Sequence, residues 1–180
     1  RLGADFEIPG DQPGLAIGMG GLGISLHDLV QLYASLARGG QSVELQEMAS
    51  AEPQQAARVL GQKSAWYVTD ILSGIAPPAT ARKREIAYKT GTSYGHRDTL
   101  AIGYDGKHVI GVWMGRADGT PVPGAFGAAI AAPVLFEAFE RLKPLADPLP
   151  AAPADALMLS NADLPTPLRQ FKATGEIRQD

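Results

Sequence analysis

Hydrophobic positions in this chain follow two rhythms, one with the 3.6-residue repeat of a helix and one that alternates. Leu26, Leu29, Val30, Tyr33 and Leu36 recur at helical spacing and predict a helix that starts at Leu26 and turns one face to the core. Ser25 stands where its hydroxyl can accept the Asp28 amide, Ile24 and Leu29 are placed as a hydrophobic staple, and Gly39-Gly40 end the helix after Arg38. Ala65, Val68, Ile71 and Leu72, preceded by Ser64 and closed by Gly74 and Pro77-Pro78, predict a second, shorter helix. Residues 41–60 between them are polar, include Pro53 and fit neither rhythm, which predicts a loop with a short helical turn. After Arg82-Lys83-Arg84 the pattern alternates. Ile86, Tyr88, Thr90 and Thr92 take one face of a strand, and Ala87, Lys89 and Gly91 take the other. Leu100, Ile102 and Tyr104 mark a second strand, and Val109 to Met114 a third beyond an Asp105-Gly106 two-residue turn. A polar loop from Arg116 to Gly124 leads to a final helix whose Ile130, Val134, Ala138 and Leu142 form an i, i+4 stripe against the sheet. Pro133 kinks that helix or marks a second start. Helices, then a meander, then a helix: this order reads as α+β, an antiparallel β-sheet packed by helices, and not as alternating βαβ units.

The total of 180 residues suits one domain with an appended segment. Six prolines (Pro144, Pro148, Pro150, Pro153, Pro165 and Pro167) crowd residues 144–180, where apolar periodicity fades. The expected division is therefore a main domain over 1–143 and a Pro/Ala-rich linker or extended arm over 144–180. With 16 Lys plus Arg against 19 Asp plus Glu, the net charge of -3 supplies no basic field to hold nucleic acid. The absence of cysteine removes disulfides, thiolate metal sites and cysteine nucleophiles. No apolar run approaches the roughly 20 residues that span a bilayer. The chain opens on Arg1 without a targeting pattern, and the expectation is that its beginning lies elsewhere.

Three motifs compete for chemistry. Gly18-Met19-Gly20-Gly21-Leu22-Gly23 matches G-x-G-x-x-G, but the helix that follows has its own cap at Ser25, past the last glycine, and neither a βαβ repeat nor a suitably spaced acidic residue follows. A loop entering a helix is the better reading, with dinucleotide binding at Gly18–Gly23 ranked third among the functions considered. His96-Arg97-Asp98 copies part of a kinase catalytic loop, yet position 103, where that loop needs Asn, is Gly. His27, His96 and His108 share no face, so no metal and no cofactor are expected. Lys89-Thr90-Gly91-Thr92-Ser93 sets a cation, two threonine hydroxyls and a bare glycine backbone near the end of a strand. Glycine lets a ligand chain approach a strand edge and pair with it, an amide at Thr92 can face a developing oxyanion, and Lys89 with the hydroxyls favours a carboxylate. An ordinary edge strand with a protective lysine fits these five residues equally well.

The surrounding sequence separates the two. Lys89-Thr90-Gly91-Thr92-Ser93, Arg97-Asp98, Gly103-Tyr104-Asp105-Gly106 and Gly111-Val112-Trp113-Met114-Gly115 together resemble the third motif and following hairpin of class A penicillin-binding proteins. Arg116 to Gly124 and the Ala-rich helix after it resemble the 1C subtype, as does Leu164-Pro165-Thr166-Pro167-Leu168 in the arm. Gly20-Gly21-Leu22-Gly23-Ile24-Ser25-Leu26 resembles the family's entry into a helix. The resemblance covers nearly all of residues 14–143. It implies part of a penicillin-binding, serine β-lactamase-like transpeptidase domain, a peptidoglycan D,D-transpeptidase that acylates a serine with a stem peptide ending in D-Ala-D-Ala and is acylated by β-lactams. Lys89 would hold the hydroxyl of the family's second motif and support proton movement, and the Thr92 amide would line the oxyanion hole. Thr90 and Thr92 would bind the terminal carboxylate, within a substrate-binding segment that includes Gly91 and Ser93. The family's nucleophile motif S-x-x-K and its S-x-N motif occur nowhere in these 180 residues. The chain is thus expected to be the C-terminal half of such a domain, inactive alone, partnered by the upstream half, periplasmic, and tied to the inner membrane only through an N-terminal anchor outside this sequence. A noncatalytic peptidoglycan-binding scaffold is the second reading.

Overall fold

A computed structural model describes residues 14, 15, 17, 22–46, 56–82 and 84–169. Gly18 to Gly21 of the glycine-rich loop, residues 47–55 of the polar segment and Lys83 lie outside the described residues, and with them the dinucleotide expectation and the short helical turn.

Helix α1 spans Leu26–Ala37. Ser25 Oγ accepts the Asp28 amide at 3.0 Å, as its spacing predicts, and Asp28 places negative charge at the positive end of the helix. The chain leaves α1 through Gly39 and Gly40, both at positive φ, where a Cβ on Gly40 would lie 2.4 Å from the Leu60 carbonyl oxygen. That close approach carries the chain into helix α2, Gln62–Ser73. The helix starts earlier than Ser64: extended Gly61 is its cap, Gly61 O accepts the Ala65 amide, and Ser64 lies within the first turn. Its buried face is Ala65, Trp66, Thr69 and Leu72, whereas Ile71 is 70% exposed. The large indole of Trp66 rotates the core-facing side away from the Val68-Ile71 pair that periodicity favours.

Strands β1 (Ala87–Thr92), β2 (Asp98–Tyr104) and β3 (Val109–Gly115) form one antiparallel meander in that order. The register sets Lys89 opposite Ile102, and Ile102 opposite Gly111. The second turn is shifted by one residue from expectation. Asp105 N donates to His108 O, so Gly106-Lys107 are the central pair, and the Asp105 carboxylate accepts the amides of Lys107 and His108 in an Asx-type turn.

Both faces of the sheet are covered. Ala87 and Tyr104 pack against Leu72 of α2 and Tyr33 and Leu36 of α1, with Tyr104 Oη 2.8 Å from Thr69 Oγ1. Burial pushes the Tyr104 hydroxyl above its ordinary pKa, partly offset by that hydrogen bond. On the opposite face Ile86, Tyr88 and Ala101 meet helix α3, Ala132–Leu142, which follows a wide π turn over Gly127–Ala131. Tyr88 and Phe136 stack edge to face at 5.0 Å. Pro133 lies in the first turn of α3, where its missing N–H has no helical partner to lose, so it marks a second start and not a kink. The expected stripe of Ile130, Val134, Ala138 and Leu142 does not face the sheet. Ala131, Ala132, Leu135, Phe136 and Phe139 do, while Ile130, Val134 and Leu142 are exposed. This helix is apolar on two adjoining sides, and the side with two phenylalanines wins because it removes more surface from water.

Residues 144–169 carry only two short 3₁₀ turns, 161–163 and 166–168, yet the first part of this arm is tied to the body. Asp105, almost wholly buried, accepts the Asp147 amide, and Gly106 N donates to Asp147 O. Burial alone would raise the Asp105 carboxyl; the amides of Lys107, Asp147 and His108 outweigh it and hold the group below its ordinary value. Further on, Tyr67 Oη donates to Leu157 O at 3.0 Å and accepts Leu157 N at 2.6 Å, and Lys63 pairs with Asp155.

Candidate active-site edge

Ser93 faces Asp98 across the first hairpin, and Ser93 N donates to Asp98 O at 2.9 Å. In an antiparallel pair such hydrogen-bonded positions alternate with open ones. Lys89 and Gly91 therefore bond toward β2, and Thr90 and Thr92 direct N–H and C=O outward. Among the described residues no strand pairs with that outer side of β1. The lysine bears out this assignment, since its Nζ donates to Thr90 O at 2.6 Å and places a cation along the open edge.

The five predicted site residues meet at this edge but not on one face. Lys89 and Gly91 belong to the side covered by α1 and α2, and Thr90 and Thr92 to the side covered by α3. A Cβ on Gly91 would meet nothing nearer than Leu100 Cβ at 3.7 Å, so the glycine leaves room and is not demanded by packing. Thr92 Oγ1 accepts the amide of Gly127 at 3.1 Å, which leaves the hydroxyl's own hydrogen to give. Ser93 Oγ accepts the Asp98 amide at 2.8 Å and so holds the turn in shape.

Beyond Ser93 the chain reverses through Tyr94-Gly95, with His96 N on Ser93 O, Gly95 at φ +77° and His96 itself at +56°. Tyr94 is fully exposed. His96 Nδ1 lies 2.9 Å from Ala125 O, its ring meets Phe126 edge to face at 4.8 Å, and its carbonyl accepts Val122 N. Gly127 and Phe126 were not singled out from the sequence, and His96 was weighed there only as part of a kinase-loop match and as a metal ligand. Gly127 was the most accessible of them: a glycine between an aromatic residue and an apolar helix signals a close approach, here one in which a Cβ would lie 2.4 Å from Gly91 O.

One grouping with metal-ligand chemistry stands apart from this edge. Asp105, His108 and Asp147 bring their donor atoms within 4.8 Å of one another. Main-chain amides and the ammonium groups of Lys107 and Lys143 already engage those carboxylates, which makes the cluster a fastening for the arm. A cavity of about 200 Å³ between the end of α1, α2 and Pro150 to Pro153 includes none of Lys89 to Ser93.

The sequence pattern of the penicillin binding protein transpeptidase domain matches residues 4–130. The chain belongs to this family. It is 39% identical over 140 residues to penicillin-binding protein 1C of Escherichia coli strain K12, a match that covers 75% of this chain and 18% of that protein. It is 32% identical over 129 residues to penicillin-binding protein 1B of Haemophilus influenzae, covering 61% and 16%. The chain thus spans less than a fifth of the length of these relatives. Among solved structures, the penicillin-binding protein PonA1 from Mycobacterium tuberculosis superposes with a TM-score of 0.61 at 18% identity, over 84% of this chain and 51% of that one. Penicillin-binding protein A from M. tuberculosis, solved as an imipenem acyl-enzyme complex, gives 0.52 at 20% identity, over 76% and 36%. The α+β architecture expected from the sequence is therefore that of penicillin-binding transpeptidase domains.

Proposed function

We propose that this chain forms the K-T-G wall of the cleft in a peptidoglycan D,D-transpeptidase, with residues 1–143 as the C-terminal portion of the domain and 144–180 as its arm. The observation that carries the reading is the open outer edge of β1, where outward peptide groups of Thr90 and Thr92 lie beside the Lys89 ammonium. A stem peptide ending in D-Ala-D-Ala lays its chain along that edge, and Gly91 allows the approach. The Thr92 amide stabilises the oxyanion that forms when a serine attacks the penultimate carbonyl. Lys89 steadies the second-motif hydroxyl that relays the proton to the leaving D-Ala, and Thr90 and Thr92 hold the terminal carboxylate. An amine from a second stem peptide then takes the acyl group from the serine. The nucleophile and its base belong to the upstream half of the domain, which is this chain's principal partner. β-Lactams acylate the same serine, and the whole protein resides in the periplasm, anchored in the inner membrane.

Labelled penicillin tests the reading. A protein extended upstream to include the serine motifs is expected to be labelled covalently, and the 180-residue chain is not. Labelling of the short chain, or failure of the extended one, overturns it.

A further inference from the structure

The outer end of β1 is held by the turn after it and by the loop before α3. His96 Nδ1 faces a carbonyl, which only accepts, so the nitrogen carries the hydrogen and donates to Ala125 O. The His96 carbonyl in turn accepts Val122 N, and the imidazole ring braces Phe126. Those contacts fix both ends of the short stretch that delivers Gly127 N to Thr92 Oγ1 at 3.1 Å. Gly127 reaches that position because it has no Cβ; one there would lie 2.4 Å from Gly91 O and 2.7 Å from Leu100 O. His96 holds a left-handed backbone, φ +56°, that residues other than glycine seldom adopt, and its three contacts keep it there.

We propose that His96 is a positioning residue for carboxylate recognition: through Ala125, Phe126 and Gly127 it fixes the Thr92 hydroxyl as an acceptor on its inner side, so that its hydrogen points to the substrate carboxylate. This rests on the transpeptidase reading above and adds to it a residue outside the K-T-G segment. A hydroxyl freed from Gly127 rotates and donates to the carboxylate only part of the time. The loss falls on ligands that carry the carboxylate and spares those that lack it.

The test uses the protein extended upstream, with penicillin as the free acid and as its methyl ester, and reads the acylation rate constant for each. His96→Ala is expected to slow capture of the acid about tenfold and of the ester less than twofold, in line with a weakened hydrogen bond to a charged group. His96→Asn, which tolerates the left-handed backbone and keeps an N–H donor, restores most of the acid rate. Only folded molecules react, so the acid-to-ester ratio does not depend on the folded fraction. Equal losses on acid and ester, or none on either, overturn the positioning role of His96 while wild-type acylation upholds the transpeptidase reading. A wild type that is not acylated at all overturns the reading and the role of His96 together.

Discussion

The two outer strands of the sheet are built from different chemistry. In β1 the free edge carries the Lys89 ammonium, and its glycine is sterically unforced. In β3, Val109–Gly115, there is neither a charged residue nor a proline. The Asp105 to His108 hydrogen bond sets the alternation, so that Val109, Gly111 and Trp113 turn their peptide groups outward. Gly111 is also forced, since a Cβ there would lie 2.7 Å from Val30 Cγ2 and 2.9 Å from Leu26 Cδ1 of α1. Free strand edges in stable proteins are usually protected by charge or proline. An edge with a lysine and spare room suits a ligand that comes and goes, and an uncharged edge clamped between helices suits permanent cover by protein. The difference supports the proposed reading, in which β1 receives substrate and β3 is covered by the upstream half of the domain.

The largest expected effect tests the β1 side. Lys89→Ala in the extended protein should slow penicillin acylation by about 10²- to 10³-fold, the loss typical of one preorganised electrostatic contact; an unchanged rate in a stopped-flow assay removes Lys89 from the chemistry. The paired glycines come next. Gly111→Ala drives a methyl into α1 and should lower stability by about 1–3 kcal/mol in urea unfolding. Gly91→Ala should leave stability within about 1 kcal/mol of wild type and yet slow acylation, because the methyl occupies room meant for ligand. If the two glycines behave alike, the edges are not specialised. Met114→Lys should have the smallest effect on stability, within about 0.5 kcal/mol, while reducing self-association of the 180-residue chain in sedimentation.

Much of this was legible in the sequence because the information is local. The Ser25 cap, the alternation from Ile86 to Thr92 and the apolar run of β3 each depend on neighbours a few residues away, and each appears where its pattern puts it. What failed depends on contacts between distant segments. Which side of α3 faces the sheet was decided by Tyr88 and Ala101 receiving Phe136 and Phe139, not by the spacing of Ile130, Val134 and Leu142. The Asp105 side chain moved the turn because it also fastens Asp147, 42 residues on. The site divides the same way: Lys89 to Ser93 is a contiguous motif, whereas the contact of Thr92 with Gly127 spans 35 residues and leaves no periodic trace.

The most direct test of the central claim is amide hydrogen exchange in the extended protein before and after acylation by penicillin. Slower exchange at Thr92, with Gly111 and Trp113 unchanged, is the predicted outcome. Protection at β3 in place of β1, or no change at Thr92, contradicts it.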